Sequence, residues 1–411
     1  MQIYTNEKTP GIRTKDGGVK AFPTFLLTVY VVAAAVFCTV SLLGGGITQS
    51  EYFKLLLSVA MPVLGIMVCA KLTASIKPLI PYCVITGLIL FMGANLTVSS
   101  AIAVSLLLFA ASAYLLRNKF WGLAILAAIA SSAITYVLTK NVLLALTSTV
   151  FLPTAIALYL SFEKKMHRVN AVCAISVTLG ISLTLLFLVW LYTKEGSISL
   201  SVLRNFFDTL REGLTTSISN ALVQASAQLE ATISATDALA LTTSALALVF
   251  NLFPAIATIL LFVISYVTHS LYVSIVAHTV DDNNEIMHAI SFKMSVTSAI
   301  LFLVAYFGAL ILDYEGLSLY ATAAQNIYLM LFPGLSLITF GFIGHLSKSK
   351  GASCLTSFIY FAIFGLILFV PGIAASIAGG VISISAFVGA VLVIISAVKN
   401  RSNNKNNQNK K

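Results

Sequence analysis

"YATAAQNIYLMLFPGL", residues 320–335, decides how the chain is read. Apart from Thr322, Gln325 and Asn326 it is a run of oily and small side chains, and it closes on Pro333-Gly334. It lies inside a longer stretch, 318–344, that contains no Asp, Glu, Lys or Arg. A bilayer-spanning helix needs about 20 such residues, so the stretch reads as a transmembrane helix. Two adjacent amides inside it need partners, because unpaired polar groups facing lipid are costly.

The same pattern recurs outward in both directions. Of 411 residues, 59% are hydrophobic and 9% charged, with a mean hydropathy of +0.98, against about 25% charged in an ordinary soluble protein. The expected fold class is all-α: a polytopic transmembrane helix bundle of about twelve spans. The apolar runs place these at 24–44, 53–70, 79–97, 99–116, 120–138, 142–161, 170–193, 240–270, 294–312, 318–344, 353–370 and 374–397. With the N-terminus inside, only Lys54, Lys140, Lys194, Arg204 and Arg211 of the 24 basic residues fall outside. That bias puts both N- and C-termini in the cytoplasm. The net charge of +10 is thus a topology signal, and nucleic acid is excluded as a partner. Cys38, Cys69, Cys83, Cys173 and Cys354 lie in or beside apolar runs without a CxxC pair, so they read as small buried hydrophobes.

The domain reading follows from the breaks. Residues 1–22 form a cytoplasmic N-terminal segment, 23–194 hold spans one to seven, and 239–398 hold the remaining five. Between them, 195–238 is hydrophilic and predicted to be extracytoplasmic. There Leu203, Phe207, Leu210, Leu214, Ile218, Leu222, Ala225, Leu229 and Ile233 recur every three or four residues, the spacing of an amphipathic helix. It either lies on the membrane or serves as a partner-binding arm. Residues 399–411 read as a disordered basic tail with an affinity for the anionic leaflet.

A second apolar stretch repeats the opening one: "ALVFNLFPAIA", with Asn251 three residues before Pro254. Ser244, Asn251, Thr258, Ser265 and Tyr272 follow at seven-residue spacing, and His269 sits four after Ser265. On a helix these fall along one slowly drifting stripe. Pro254 has no amide proton and frees the carbonyl of Phe250. Two kinked helices with an amide above each proline frame a polar pocket, or else bond to each other as interhelical glue. The candidate ligand-binding residues are Asn251, Gln325, Asn326 and His269, with Tyr272 and Tyr328 as aromatic walls.

Charged residues are absent from the centre of every expected span. Carriers driven by protons or sodium bury a carboxylate for the ion, so coupled transport, voltage sensing and a charged substrate are disfavoured. The segment "HTVDDNNEIMH" (278–288) puts Asp281, Glu285 and His288 within reach of one helical face. Acidic clusters of this kind hold magnesium on diphosphates, but no other cytoplasmic loop supplies the second cluster. The loop reads as solvated. No GxSxG, HExxH or Walker sequence occurs, so the reading is not an enzyme, with no catalytic residue, metal or cofactor.

From about 197 to 350 the order of parts resembles the YybS-like family of bacterial membrane proteins of unknown function. The amphipathic segment, then "TTSALALVFNLFPAIATILLFVISYVTHSLYVSIV", "FKMSVTSAILFLVAYFGALIL" and "LYATAAQNIYLMLFPGLSLITFGFIGHLSKSKG", carry the resemblance. It implies a multi-pass protein of the bacterial inner membrane. Members have been likened to substrate-binding subunits of energy-coupling-factor transporters, which implies partner ATPase subunits. The expected function is a transporter-like subunit that binds a small, largely uncharged solute, in contact with the lipid bilayer and partner membrane proteins. The alternative is a non-transporting scaffold or regulatory partner.

Overall fold

A computed structural model describes residues 28–34, 36, 108–117, 120–140, 145, 151–228, 234–277, 292–346 and 373–408. Every regular element among the described residues is a helix. After a helical stretch at Leu108–Arg117 come α1 (Trp121–Thr139), α2 (Phe151–Glu163), α3 (Arg168–Glu195), α4 (Leu200–Gln228), α5 (Ala235–Asn251), α6 (Phe253–Ala277), α7 (Val296–Tyr314), α8 (Ser318–Leu346) and α9 (Ile373–Gln408).

Among the described residues, five segments are long and apolar enough to cross a membrane: Arg168–Glu195, Phe253–Val273, Val296–Tyr314, Ser318–Ile343 and Gly379–Lys399. They coincide with five of the expected spans. The spans expected at 53–70, 79–97 and 353–370, and the acidic loop 278–288, lie outside the described residues. The membrane character is visible in how α7 distributes its side chains. It buries Ala299, Phe302, Ala305 and Ala309 and turns Ile300, Leu301, Val304, Phe307, Leu310 and Ile311 outward. Mostly small residues inside, with Phe302 the one large exception, and large apolar ones outside suit a helix solvated by lipid.

Two sequence expectations are corrected. The single span at 240–270 is two helices, α5 and α6, meeting at Leu252. Pro333 lies inside the 29-residue α8 without ending it. The last helix continues to Gln408, so the backbone of most of the tail read as disordered is helical.

The chain forms two compact units. The first comprises Met1–Leu183, Leu261–Leu303 and Leu331–Lys411. Its core holds Leu158, Phe162, Val172, Phe302, Leu335 and Ile382. Two of its helices approach unusually closely. Thr339 Oγ1 on α8 donates to the Ser385 carbonyl on α9 at 2.6 Å, and Gly389 lies against the Leu335 backbone. Only a residue without Cβ fits there.

The second unit comprises Thr184–Leu260 and Val304–Met330. Here α4 packs on α5. The expected amphipathic helix is present as α4, 29 residues long, but the face it buries is rotated from the one read in the sequence. Ser219 and Ser226 are buried while Leu210, Leu214 and Ile218 are exposed. The serines satisfy themselves by donating to the carbonyls of Thr216 (3.1 Å) and Val223 (2.8 Å). On α5 the buried residues are Ala238, Thr242 and Leu246, and small, self-satisfied polar residues suit such a packed face. Ser234 caps α5, its Oγ accepting from the Asp237 N–H at 3.1 Å, so α5 starts as an independent helix.

Candidate functional site

The site begins with one missing backbone bond. In an uninterrupted helix the N–H of Ala255 would donate to the carbonyl of Asn251, four residues earlier. Here α5 ends at Asn251, Leu252 takes φ −97° and ψ 7°, and α6 begins at Phe253. Pro254 favours a fresh start because it fits the first turn of a helix, where its missing N–H costs nothing.

The side chain of Asn326, on α8, fills that gap. Its Oδ1 accepts from the Ala255 N–H at 3.1 Å, and its Nδ2 donates to the Asn251 carbonyl at 2.9 Å. The same Nδ2 donates to its own helix at the Thr322 carbonyl, 3.1 Å away. One carboxamide therefore stands between the two backbone groups that would otherwise pair. Only an amide carries acceptor and donor at the spacing needed to satisfy both at once.

Aromatic rings hold the same junction. Phe207 of α4 meets Phe250 and Phe253, the residues flanking Asn251-Leu252, with ring centroids 6.5 and 6.3 Å away. Phe206, Phe187 and Trp190 extend the cluster onto α3. Edge-on aromatic pairs add about 0.5–1.5 kcal/mol each beyond the area they bury. The amphipathic helix thus braces the break.

The remaining predicted residues separate into groups. Asn251 is exposed and contributes its backbone carbonyl. Gln325 is half-buried and its amide has no hydrogen-bond partner among the described residues. Tyr328 packs edge-on against Tyr306, centroids 5.3 Å apart. All of these belong to the second unit. His269 and Tyr272 belong to the first, where both are buried, Tyr272 against Phe162 at 5.7 Å. The polar stripe on α5 and α6 divides: Ser244 donates to Ala240 at 3.0 Å and Thr258 to Pro254 at 2.8 Å, both carbonyls of their own helices, whereas Ser265 Oγ, His269 Nδ1 and Tyr272 Oη are buried without a hydrogen-bond partner among the described residues.

Two arrangements were not visible in the sequence. One is the close Gly389–Leu335 approach. The other is Arg168, at the start of α3, whose Nη2 donates to Ser270 Oγ and whose guanidinium lies over the rings of Tyr266 and Phe292. The only available signal was an arginine opening an apolar run. Among the described residues there is no cluster of His, Cys, Asp and Glu able to hold a metal ion.

No curated protein and no solved structure matches the chain. A family described as "Predicted membrane protein (DUF2232)" matches residues 122–382. That match takes in more than half of the 411 residues, and the chain belongs to this family of membrane proteins.

Proposed function

We propose that the protein is a transporter-like subunit of the bacterial inner membrane that binds a small, largely uncharged solute beside the broken helix. The observation that carries this reading is the α5–α6 junction held apart by Asn326. Interrupted helices are where many transporters place the groups that hydrogen-bond a substrate; here Asn326 takes the two backbone groups of the break, which leaves the neighbouring side chains for a ligand. Gln325 is the group with bonding capacity to spare, Asn251 offers an exposed amide, and Tyr328 gives an aromatic wall. No carboxylate, Lys or Arg lies mid-span in the described membrane segments, which favours a neutral ligand. In this reading ATP hydrolysis belongs to partner subunits, in the manner of energy-coupling-factor transporters.

The scaffold reading is favoured by one observation, the exposed row Leu210, Leu214 and Ile218 on α4. Purification of the full chain from native membranes, with mass spectrometry of bound molecules and co-purifying proteins, separates the two. A stoichiometric neutral metabolite, with or without an ATPase pair, is the expected result. A stoichiometric membrane-protein partner and no small molecule would replace the solute-binding reading with the scaffold.

A further inference from the structure

Arg168 occupies a corner of the first unit where, among the described residues, basic side chains outnumber acidic ones. The turn joining α2 to α3 carries Lys164 and Lys165, both exposed, and Lys293 is exposed beside Phe292, whose ring lies 5.5 Å from the Arg168 guanidinium. Glu163, which precedes this turn, is already engaged by Arg117 at 3.6 Å. Arg168, Lys164, Lys165 and Lys293 have no carboxylate partner among the described residues.

The guanidinium of Arg168 has bonding capacity left over among the described residues. It lies over two aromatic rings, with the Tyr266 centroid at 4.3 Å and the Phe292 centroid at 5.5 Å. Stacking fixes the plane and leaves the donor edges to hydrogen bonding. One amino group bonds Ser270, while the buried Nε has no partner among the described residues. A buried donor of a charged group left unpaired is uncommon and calls for an absent partner. The turn itself holds Lys165 at φ 51°, closed by Lys165 N–H to Phe162 (2.9 Å) and Met166 N–H to Ser161 (3.0 Å). Glycine usually fills this left-handed position, so here a lysine is presented in its place.

We propose that this corner binds a phosphate-bearing anion: Arg168 supplies the oriented fork, and Lys164, Lys165 and Lys293 the surrounding charge. Planar guanidinium edges match phosphate oxygens in pairs, and basic clusters at membrane surfaces attract anionic headgroups. The phosphate belongs either to an anionic lipid or to a free phosphate.

The test uses the full chain in nanodiscs of phosphatidylcholine, with or without phosphatidylglycerol, and in detergent with inorganic phosphate. Thermal unfolding and native mass spectrometry of retained lipid are the readouts. Phosphatidylglycerol retained selectively and raising Tm identifies a lipid; inorganic phosphate raising Tm in detergent identifies a free anion. In either case Arg168→Gln abolishes the effect, and Arg168→Lys restores part of it. Because Arg168 packs against a core, a second variant replaces Lys164, Lys165 and Lys293 with Gln, all at the surface. It is expected to weaken binding on the order of a hundredfold, from about fivefold for each lysine. Lys194→Gln, which removes a lysine over Trp190, is expected to change nothing. No preference for phosphatidylglycerol and no response to phosphate overturns the proposal, as does a response that survives both the arginine and the lysine variants.

Discussion

Asn326→Leu is expected to lower stability by roughly 2–4 kcal/mol, and Asn326→Ala by less. Leucine removes the acceptor for the Ala255 N–H and the donor to the Asn251 carbonyl, and its bulk keeps the two apart. Each orphaned backbone group costs about 1–3 kcal/mol where water does not reach it. Alanine vacates the gap, so Ala255 and Asn251 can re-form the ordinary helical bond, and the loss falls to about 1 kcal/mol, near the measured worth of interhelical bonds in membranes. Thermal unfolding of the purified variants reads this ordering. Equal stability for wild type, Leu and Ala would mean that the amide does not hold the junction.

The second large effect is expected at Gly389. A methyl group added there would stand 2.8 Å from the Leu335 carbonyl carbon and 3.1 Å from Thr339 Oγ1, with the carbonyl oxygen nearer still. Backbone cannot rotate out of the way, so Gly389→Ala must part α8 from α9 and stretch the Thr339–Ser385 bond. Overpacking of this kind costs about 1–3 kcal/mol, occasionally more, and the upper end is expected here. Gly308 makes the comparison sharp. A Cβ there meets nothing within 4 Å, so Gly308→Ala is expected to be neutral, or to stabilise the helix by about 0.5–1 kcal/mol. Similar melting temperatures for the two variants would remove the close approach from the account.

Asn251, Pro254 and Asn326 could be singled out in the sequence because each is exceptional in an apolar run. Their pairing could not, because Asn251 acts through its backbone carbonyl and Ala255 through its N–H. Neither group leaves a trace in residue identity. The α4 stripe shows a different limit. Periodicity found the helix, but in a membrane protein the leucines need not turn inward, and Ser219 and Ser226 took the packed face. The Gly389 and Arg168 contacts depend on which helices neighbour each other, which hydrophobic period does not encode. α8 runs through Pro333, whose missing N–H leaves the Leu329 carbonyl without its ordinary helical donor.

The central claim is that a solute binds beside the junction that Asn326 holds open, and Gln325 is its most direct probe. Gln325 makes no hydrogen bond among the described residues, so Gln325→Leu removes a ligand group without removing a structural one. Retention of the native small molecule by wild type and Gln325→Leu, compared by mass spectrometry after identical purification, is the decisive measurement. At least a tenfold loss of bound molecule with an unchanged melting temperature is the expected result, the size expected when a hydrogen-bonding group dedicated to a ligand is removed. Full retention by Gln325→Leu would contradict the account and leave the junction as a purely structural device.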